Sequence, residues 1–219
     1  MKLKVCGMNS NILEVAAIKP NYLGFIFWEP SSRFFHGKIP DIPDGIKRIG
    51  VFVDESIPKI VEAILHYDLN GVQLHGNESA TYCKALKEVI IEHKISEHQF
   101  DKVHFDIIKV FSIKDNFDFD KLALFEDVCD YFLFDTKGKL PGGNGYAFDW
   151  SVLKNYPSTK PYFLSGGIGL ENTDELKHFL TLPESKYCYA IDVNSKFEIE
   201  PGLKDIEKIK NFKKILTEN

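Results

Sequence analysis

Residues 131–136 read Tyr131-Phe132-Leu133-Phe134-Asp135-Thr136. Four apolar or aromatic side chains follow one another with nothing polar between them, and a carboxylate stands at the end. A strand with one face in water alternates apolar with polar. A run that is apolar throughout belongs to a strand covered on both faces, as in a parallel sheet flanked by helices. The same kind of run recurs along the chain. Leu3-Lys4-Val5-Cys6, Leu23-Gly24-Phe25-Ile26-Phe27, Ile49-Gly50-Val51-Phe52-Val53, Gly71-Val72-Gln73-Leu74 and Ile107-Ile108-Lys109-Val110-Phe111 precede it. Pro161-Tyr162-Phe163-Leu164 and Tyr187-Cys188-Tyr189-Ala190-Ile191 follow it.

The stretches between these runs carry a helical period. Ile57, Ile60, Val61, Ile64 and Leu65 share a face, with Ser56 placed as an N-cap and Pro58 in the first turn. Tyr82, Cys83, Leu86, Val89 and Ile90 form a second stripe, Leu176, Phe179 and Leu180 a third after a capping Thr173, and Ile206, Ile209, Phe212 and Leu216 a last. The helical pattern is weak after the second, fifth and sixth runs, and His93 to His104 reads as an irregular surface excursion. Eight strands alternating with helices predict a (β/α)₈ TIM barrel, an α/β fold, as a single domain over residues 1–219. A doubly wound open sheet is the alternative, and the strand count favours the barrel. With 219 residues, 44% of them hydrophobic, the chain has enough apolar surface for one such core.

The net charge of −5 gives no support for a nucleic-acid or membrane partner, so an anionic ligand has to be held locally against that field. Cys6, Cys83, Cys129 and Cys188 form no CxxC pair and no zinc spacing. Neither the N-terminus nor any later run is apolar for long enough to be a signal peptide or to span a bilayer, which predicts a cytoplasmic protein with reduced thiols.

In a barrel of this kind the chemistry gathers where strands end. Cys6, followed by Gly7, closes the first strand; a lone cysteine more often packs as a small core residue, but here it can face the barrel mouth. Asp135 ends the sixth strand, where desolvation favours the protonated carboxyl that a general acid needs. Capping or pairing with Lys137 is its plainer role. Residues 138–145, rich in glycine, read either as a lid over the reaction or as a featureless loop, and Asp149 as the cap of the next helix. Ser165-Gly166-Gly167-Ile168-Gly169 ends the seventh strand and Asp192-Val193-Asn194-Ser195 the eighth, and such a pair of segments commonly grips a phosphate. Arg33 offers a fork suited to a carboxylate, or is a solvated surface arginine. Gln73 and His75 end the fourth strand and either touch a ligand or are satisfied inside the barrel.

As a set, Lys4-Val5-Cys6-Gly7-Met8, Gly24-Phe25-Ile26-Phe27, Val72-Gln73-Leu74-His75-Gly76, Phe134-Asp135-Thr136, Gly142-Gly143-Asn144-Gly145, Leu164-Ser165-Gly166-Gly167-Ile168 and Asp192-Val193-Asn194-Ser195 resemble, in order, the phosphoribosylanthranilate isomerase family. The likeness runs from about Lys4 to Asp205. It implies a cofactor-independent, metal-free Amadori rearrangement in tryptophan biosynthesis, acting on a small phosphorylated substrate, by a monomer or homodimer. It implies Cys6 as general base and Asp135 as general acid. It implies Arg33 on the substrate carboxylate, and Gly166, Gly167, Asn194 and Ser195 on the phosphate. Gln73, His75 and Asp192 complete the expected substrate-binding set. Three positions depart from the family's usual residues: Ser32 for a proline, Asn9 for a threonine and Lys196 for a glycine. The last either crowds a phosphate or adds a charge to it. Among rival barrels, an indole-glycerol-phosphate synthase needs a lysine at a strand end, for which Lys109 and Lys137 are candidates. A ribulose-phosphate epimerase needs paired aspartates and a metal. A silent binding protein on the same scaffold is the rival of a different class.

Overall fold

The computed structural model describes residues 1–97, 105–114, 116–136 and 147–217. Eight parallel strands close into a barrel in sequence order: β1 (Lys2–Val5), β2 (Tyr22–Ile26), β3 (Lys47–Phe52), β4 (Gly71–Leu74), β5 (Asp106–Ile113), β6 (Tyr131–Thr136), β7 (Tyr162–Leu164) and β8 (Cys188–Val193). The seam is the β1–β8 pair, where Lys4 lies opposite Asp192 and Val5 opposite Val193. The TIM barrel inferred from the apolar runs is therefore the observed fold. Strand ends differ from the sequence reading by at most two residues: β4 keeps the bounds read from the sequence, and β6 extends through Asp135 to Thr136.

The two-residue period of the strands divides the apolar side chains into two cores. Ile107, Phe132, Phe134, Tyr162 and Leu164 belong to the larger core, which includes the helices' buried residues Ile60, Ile64, Leu176, Phe179 and Ile209. Their neighbours Ile108, Leu133 and Phe163 join Tyr22, Ile49, Val110 and Ala190 in a separate core inside the barrel. Both faces of each strand are thus covered, which is why the runs in the sequence are apolar throughout.

The helices are α1 (Ile12–Ala17), α2 (Ile57–Tyr67), α3 (Ala80–Glu97), α4 (Thr173–Thr181) and α5 (Ile206–Thr217). Ser56 precedes α2 with extended backbone and a proline follows in the first turn, but its side chain makes no capping bond. Thr173 is not the cap of α4. It is the first helical residue, and Asn172 before it accepts from the Gly169 N–H at 2.9 Å. The excursion read from His93 is corrected at its start, because α3 continues through Glu97; residues 98–104 lie outside the described residues. Weak helical patterning has a structural counterpart. Residues 27–46, with Pro30, Pro40 and Pro43, contain no helix. β5 and β6 are followed by the 3₁₀ turns Phe119–Phe125 and Trp150–Asn155, the second capped by Asp149 as expected. A short hairpin, β9 (Glu198–Glu200) with β10 (Leu203–Lys204), sits between β8 and α5.

Candidate active site

Continuing the inner period of each strand by two residues leads from the apolar barrel interior to its C-terminal mouth. Leu133 is followed at this spacing by Asp135, Phe163 by Ser165, and Ala190 by Asp192 and then Asn194. Asp135, Ser165, Asp192 and Asn194 line one cleft of about 700 Å³, measured out to its open mouth. All ten site residues named from the sequence line it: Cys6, Arg33, Gln73, His75, Asp135, Gly166, Gly167, Asp192, Asn194 and Ser195. Ile26, Trp28, Ser31, Val51, Val53, Ile168 and Lys196 complete most of the wall. Lys137 and residues 138–145 lie outside the described residues.

Cys6 is buried just beyond β1. Gly24 on the adjacent strand makes room for it, since a Cβ there would stand 2.8 Å from the sulfur. Burial pushes the thiol up, the negative charge of Asp192 adds to this, and Lys4 and Lys204 work against it. Both lysines are fully buried. Lys4 Nζ donates to Asp192 Oδ2 at 2.9 Å and to Gln73 Oε1 at 2.7 Å. Burial alone would lower this ammonium; its attraction to Asp192 and Cys6 outweighs that and keeps it charged. Asp192 Oδ1 is buried and has no hydrogen-bond partner among the described residues. Such an orphaned acceptor on a cleft wall faces a cost that a ligand hydroxyl would relieve.

The polar chain continues across the mouth. A lysine can only donate, so the bond from Lys4 fixes the Gln73 amide with its oxygen toward Lys4 and its NH₂ toward His75 Nδ1, 3.4 Å away. Nδ1 then accepts, and in the neutral ring the proton sits on Nε2. Nε2 lies 3.3 Å from Asp135 Oδ2, off the hydrogen-bond direction. The other Asp135 oxygen accepts from the Thr136 N–H at 2.8 Å. Gly166 has a left-handed φ of 92°, and a Cβ there would meet Thr136 Oγ1 at 2.2 Å, so only glycine fits this turn beside the carboxyl.

Arg33 is partly buried and engaged, not a freely solvated surface arginine. Its Nε and Nη2 fork onto Glu198, with Nη2 to Oε2 at 2.7 Å. Glu198 also accepts from Lys204 Nζ at 2.7 Å and from the Gly202 N–H at 3.1 Å. Burial alone would raise this carboxyl; the hydrogen bonds from Arg33 and Lys204 overcome it and hold it below the usual range. Lys204 Nζ also donates to Asn194 Oδ1 at 2.8 Å, which orients that amide. Lys4, Glu198 and Lys204 are buried charged residues behind the cleft wall to which sequence reasoning gave no role. Lys4 had a signal, because it lies two residues before Cys6 and so on the same side of the strand. Glu198 and Lys204 meet only through the hairpin, and nothing in their spacing announces it.

Lys109 is sequestered. Its Nζ donates to Glu78 Oε2 at 2.9 Å and to the Gly76 carbonyl at 2.9 Å, and it does not line the cleft. Among the described residues no group of three His, Cys, Asp or Glu side chains is arranged to hold a metal ion, and no helix is long and apolar enough to cross a membrane.

The family model described as N-(5'phosphoribosyl)anthranilate (PRA) isomerase matches residues 3–215. A relative from Parabacteroides distasonis named N-(5'-phosphoribosyl)anthranilate isomerase is 42% identical, over 97% of this chain and 91% of its own. One of the same name from Phocaeicola vulgatus is 35% identical, over 97% and 96%. Among solved structures, the Thermotoga maritima phosphoribosyl anthranilate isomerase superposes with a TM-score of 0.76 at 26% identity, covering both chains fully. A phosphoribosyl anthranilate isomerase solved in complex with reduced 1-(o-carboxyphenylamino)-1-deoxyribulose 5-phosphate superposes with a TM-score of 0.73 at 25% identity, again over both full chains.

Proposed function

The chain belongs to the N-(5'-phosphoribosyl)anthranilate isomerase family, and from that premise we infer that its barrel mouth isomerises N-(5'-phosphoribosyl)anthranilate with Cys6 as base and Asp135 as acid. It is an aldose–ketose isomerase of tryptophan biosynthesis. The observation that carries the residue roles is that a thiol and a carboxyl, brought from β1 and β6, line the same cleft as the glycine turn after β7 and the Asn194-Ser195 segment after β8.

In this reading Asp135 protonates the furanose oxygen as the C1'–O bond breaks, and the aniline nitrogen lone pair forms an iminium. The cation acidifies the proton on C2', and the Cys6 thiolate removes it. The resulting enolamine tautomerises to the ketose. Each proton transfer is expected to contribute roughly 10²–10⁴-fold. The thiolate needs positive charge nearby, which Lys4 and Lys204 supply, and the iminium adds to it once the ring has opened. Gly166, Gly167, Asn194 and Ser195 take the phosphate. Arg33, its Nε and Nη2 held by Glu198, turns the rest of its guanidinium toward the substrate carboxylate. Gln73, His75 and Asp192 orient the sugar and the acid. Binding at the two anionic ends positions the reacting carbons between them. Residues 1–219 act as one domain, and four buried, unbridged cysteines suit a reducing, cytoplasmic setting.

The synthase reading loses its described lysine, because Lys109 is bound to Glu78 away from the cleft. The test is the loss of phosphoribosylanthranilate fluorescence on adding purified protein. Catalysed loss with formation of the aminoketose supports the reading. Tight binding without turnover would replace it with a silent binding protein.

A further inference from the structure

Lys196 stands at the rim of the cleft beside Ser195, and its Nζ is 2.6 Å from Glu171 Oε1. It borders two spaces at once. One is the cleft, shared with Gly166, Gly167 and Ser195; the other is an adjoining hollow that it lines with Gly167, Glu171 and Asn172. The Glu171 carboxylate itself lies over the backbone that follows the glycine turn, since a Cβ on Gly169 would meet its Oε2 at 2.2 Å. A cation at the anion end of the site is therefore held back by a carboxylate at the same end.

Magnitudes decide what this pair does. The Lys196 side chain is 34% exposed and that of Glu171 56% exposed, so water screens the bond. A pair of that kind biases an equilibrium by at most about fivefold. A phosphate monoester carries a charge of about −1.5 to −2 near neutral pH. It would sit deeper, against backbone N–H groups and partly out of water, where the same ammonium is attracted more strongly. Exchanging Glu171 for the phosphate is favourable, and the exchange needs only rotamer changes of a flexible four-carbon stem. The chain's net charge of −5 gives such a local cation added value.

We propose that Lys196 is a phosphate-binding residue, parked on Glu171 in the empty enzyme and transferred to the substrate's phosphate on binding, with Glu171 setting the cost of the transfer. This rests on reading the Gly166-Gly167 and Asn194-Ser195 segments as the anion end. Two side chains that form one ion pair then have opposite effects on affinity, which a merely structural pair cannot produce.

The experiment is inhibition of turnover by inorganic phosphate at constant ionic strength, in wild type, Lys196→Met, Glu171→Gln and the double variant. Thermal unfolding verifies the fold of each. Competitive inhibition of wild type is expected. Lys196→Met should weaken phosphate and raise the substrate KM by about fivefold to tenfold, with a much smaller change in kcat. Glu171→Gln should tighten phosphate by about twofold to fivefold. On the Lys196→Met background Glu171→Gln should have no further effect, because the carboxylate acts through the lysine. Shifts of the same sign in both single variants, or no shift in Lys196→Met, overturn the proposal and leave the anion end intact. A Glu171→Gln effect that persists in the double variant overturns the parking role. Failure of phosphate to compete in wild type would remove the anion end itself, and this proposal with it.

Discussion

The two halves of the barrel interior are built on the same strands and obey the same period, yet they treat polar atoms in opposite ways. Toward the N-terminal ends of the strands, Phe163 packs edge-on against Tyr22 and Tyr131, with centroids 5.3 Å away in both cases. The hydroxyls there are tied together, Tyr22 to Tyr189 at 3.2 Å and Lys2 to Tyr189, while Lys47 pairs with Asp106 at 2.7 Å. Toward the C-terminal ends lie a buried thiol, two buried ammonium groups, one of them brought by the β9–β10 hairpin, an Asp192 oxygen without a hydrogen-bond partner among the described residues, and a His75 nitrogen that misses Asp135. These lower-half groups are paired with one another. The upper half leaves some uncompensated, which is tolerable only if a ligand completes them.

The widest separation expected between the halves is in turnover against stability. Cys6→Ser or Asp135→Asn should lower kcat by about 10²–10⁴-fold while the thermal midpoint shifts little, because each replacement is nearly isosteric. Phe163→Ala should do the reverse. It opens a cavity in the inner core at a cost of about 3–5 kcal/mol, and the protein that remains folded should turn over almost normally. Parallel denaturant unfolding and initial-rate measurements decide it. If the Cys6 variant unfolds or the folded Phe163 variant is inactive, the division of labour between the halves is not real.

That division is partly legible in the sequence. Strand runs such as Tyr131–Phe134 specify burial on both faces, and burial on both faces specifies a parallel sheet. Cys6, Asp135 and Asp192 could be placed at the mouth because each ends such a run. The helical segments were less legible where tertiary packing replaced pattern: the 3₁₀ turns after β5 and β6 are too short to show a period. The supporting charges were the least legible. Arg33 and Glu198 are 165 residues apart and meet bidentately, and Lys204 reaches Asn194 only because β9 and β10 fold back over the mouth. No local spacing encodes a contact made by a hairpin turn, whereas Lys4 and Cys6 share a strand face by arithmetic.

A smaller effect sharpens the electrostatic side of the comparison. Burial raises the Cys6 thiol above its ordinary value of about 8.5, and Lys4 and Lys204 limit the rise. The kcat/KM of the wild type should therefore still be climbing above neutral pH as the thiolate forms. Lys204→Met removes a cation, which disfavours the anion, so the climb should move to higher pH and activity at neutral pH should drop further. The pH–rate profile, taken well below the variant's thermal midpoint, is the measurement. A limb that stays in place would mean that the hairpin lysine serves only Glu198 and Asn194, as a structural ion in the manner of the lower half.

The smallest effect lies at the border between the halves. Gln73 satisfies Lys4 below and faces His75 above, and only the amide's fixed orientation makes His75 Nδ1 an acceptor. Gln73→Glu keeps an acceptor for Lys4 but has no donor for the ring, so the imidazole proton should move to Nδ1 and leave Nε2 without a hydrogen facing Asp135. At 3.4 Å the amide–imidazole bond is long and its net contribution modest, so kcat should fall by less than about tenfold with the fold unchanged. The nitrogen chemical shifts of His75 distinguish the two tautomers directly. A ring that keeps its proton on Nε2 in the variant would show that Gln73 does not hand orientation up from Lys4. It would then be counted with the lower half, as a polar residue satisfied within the barrel wall.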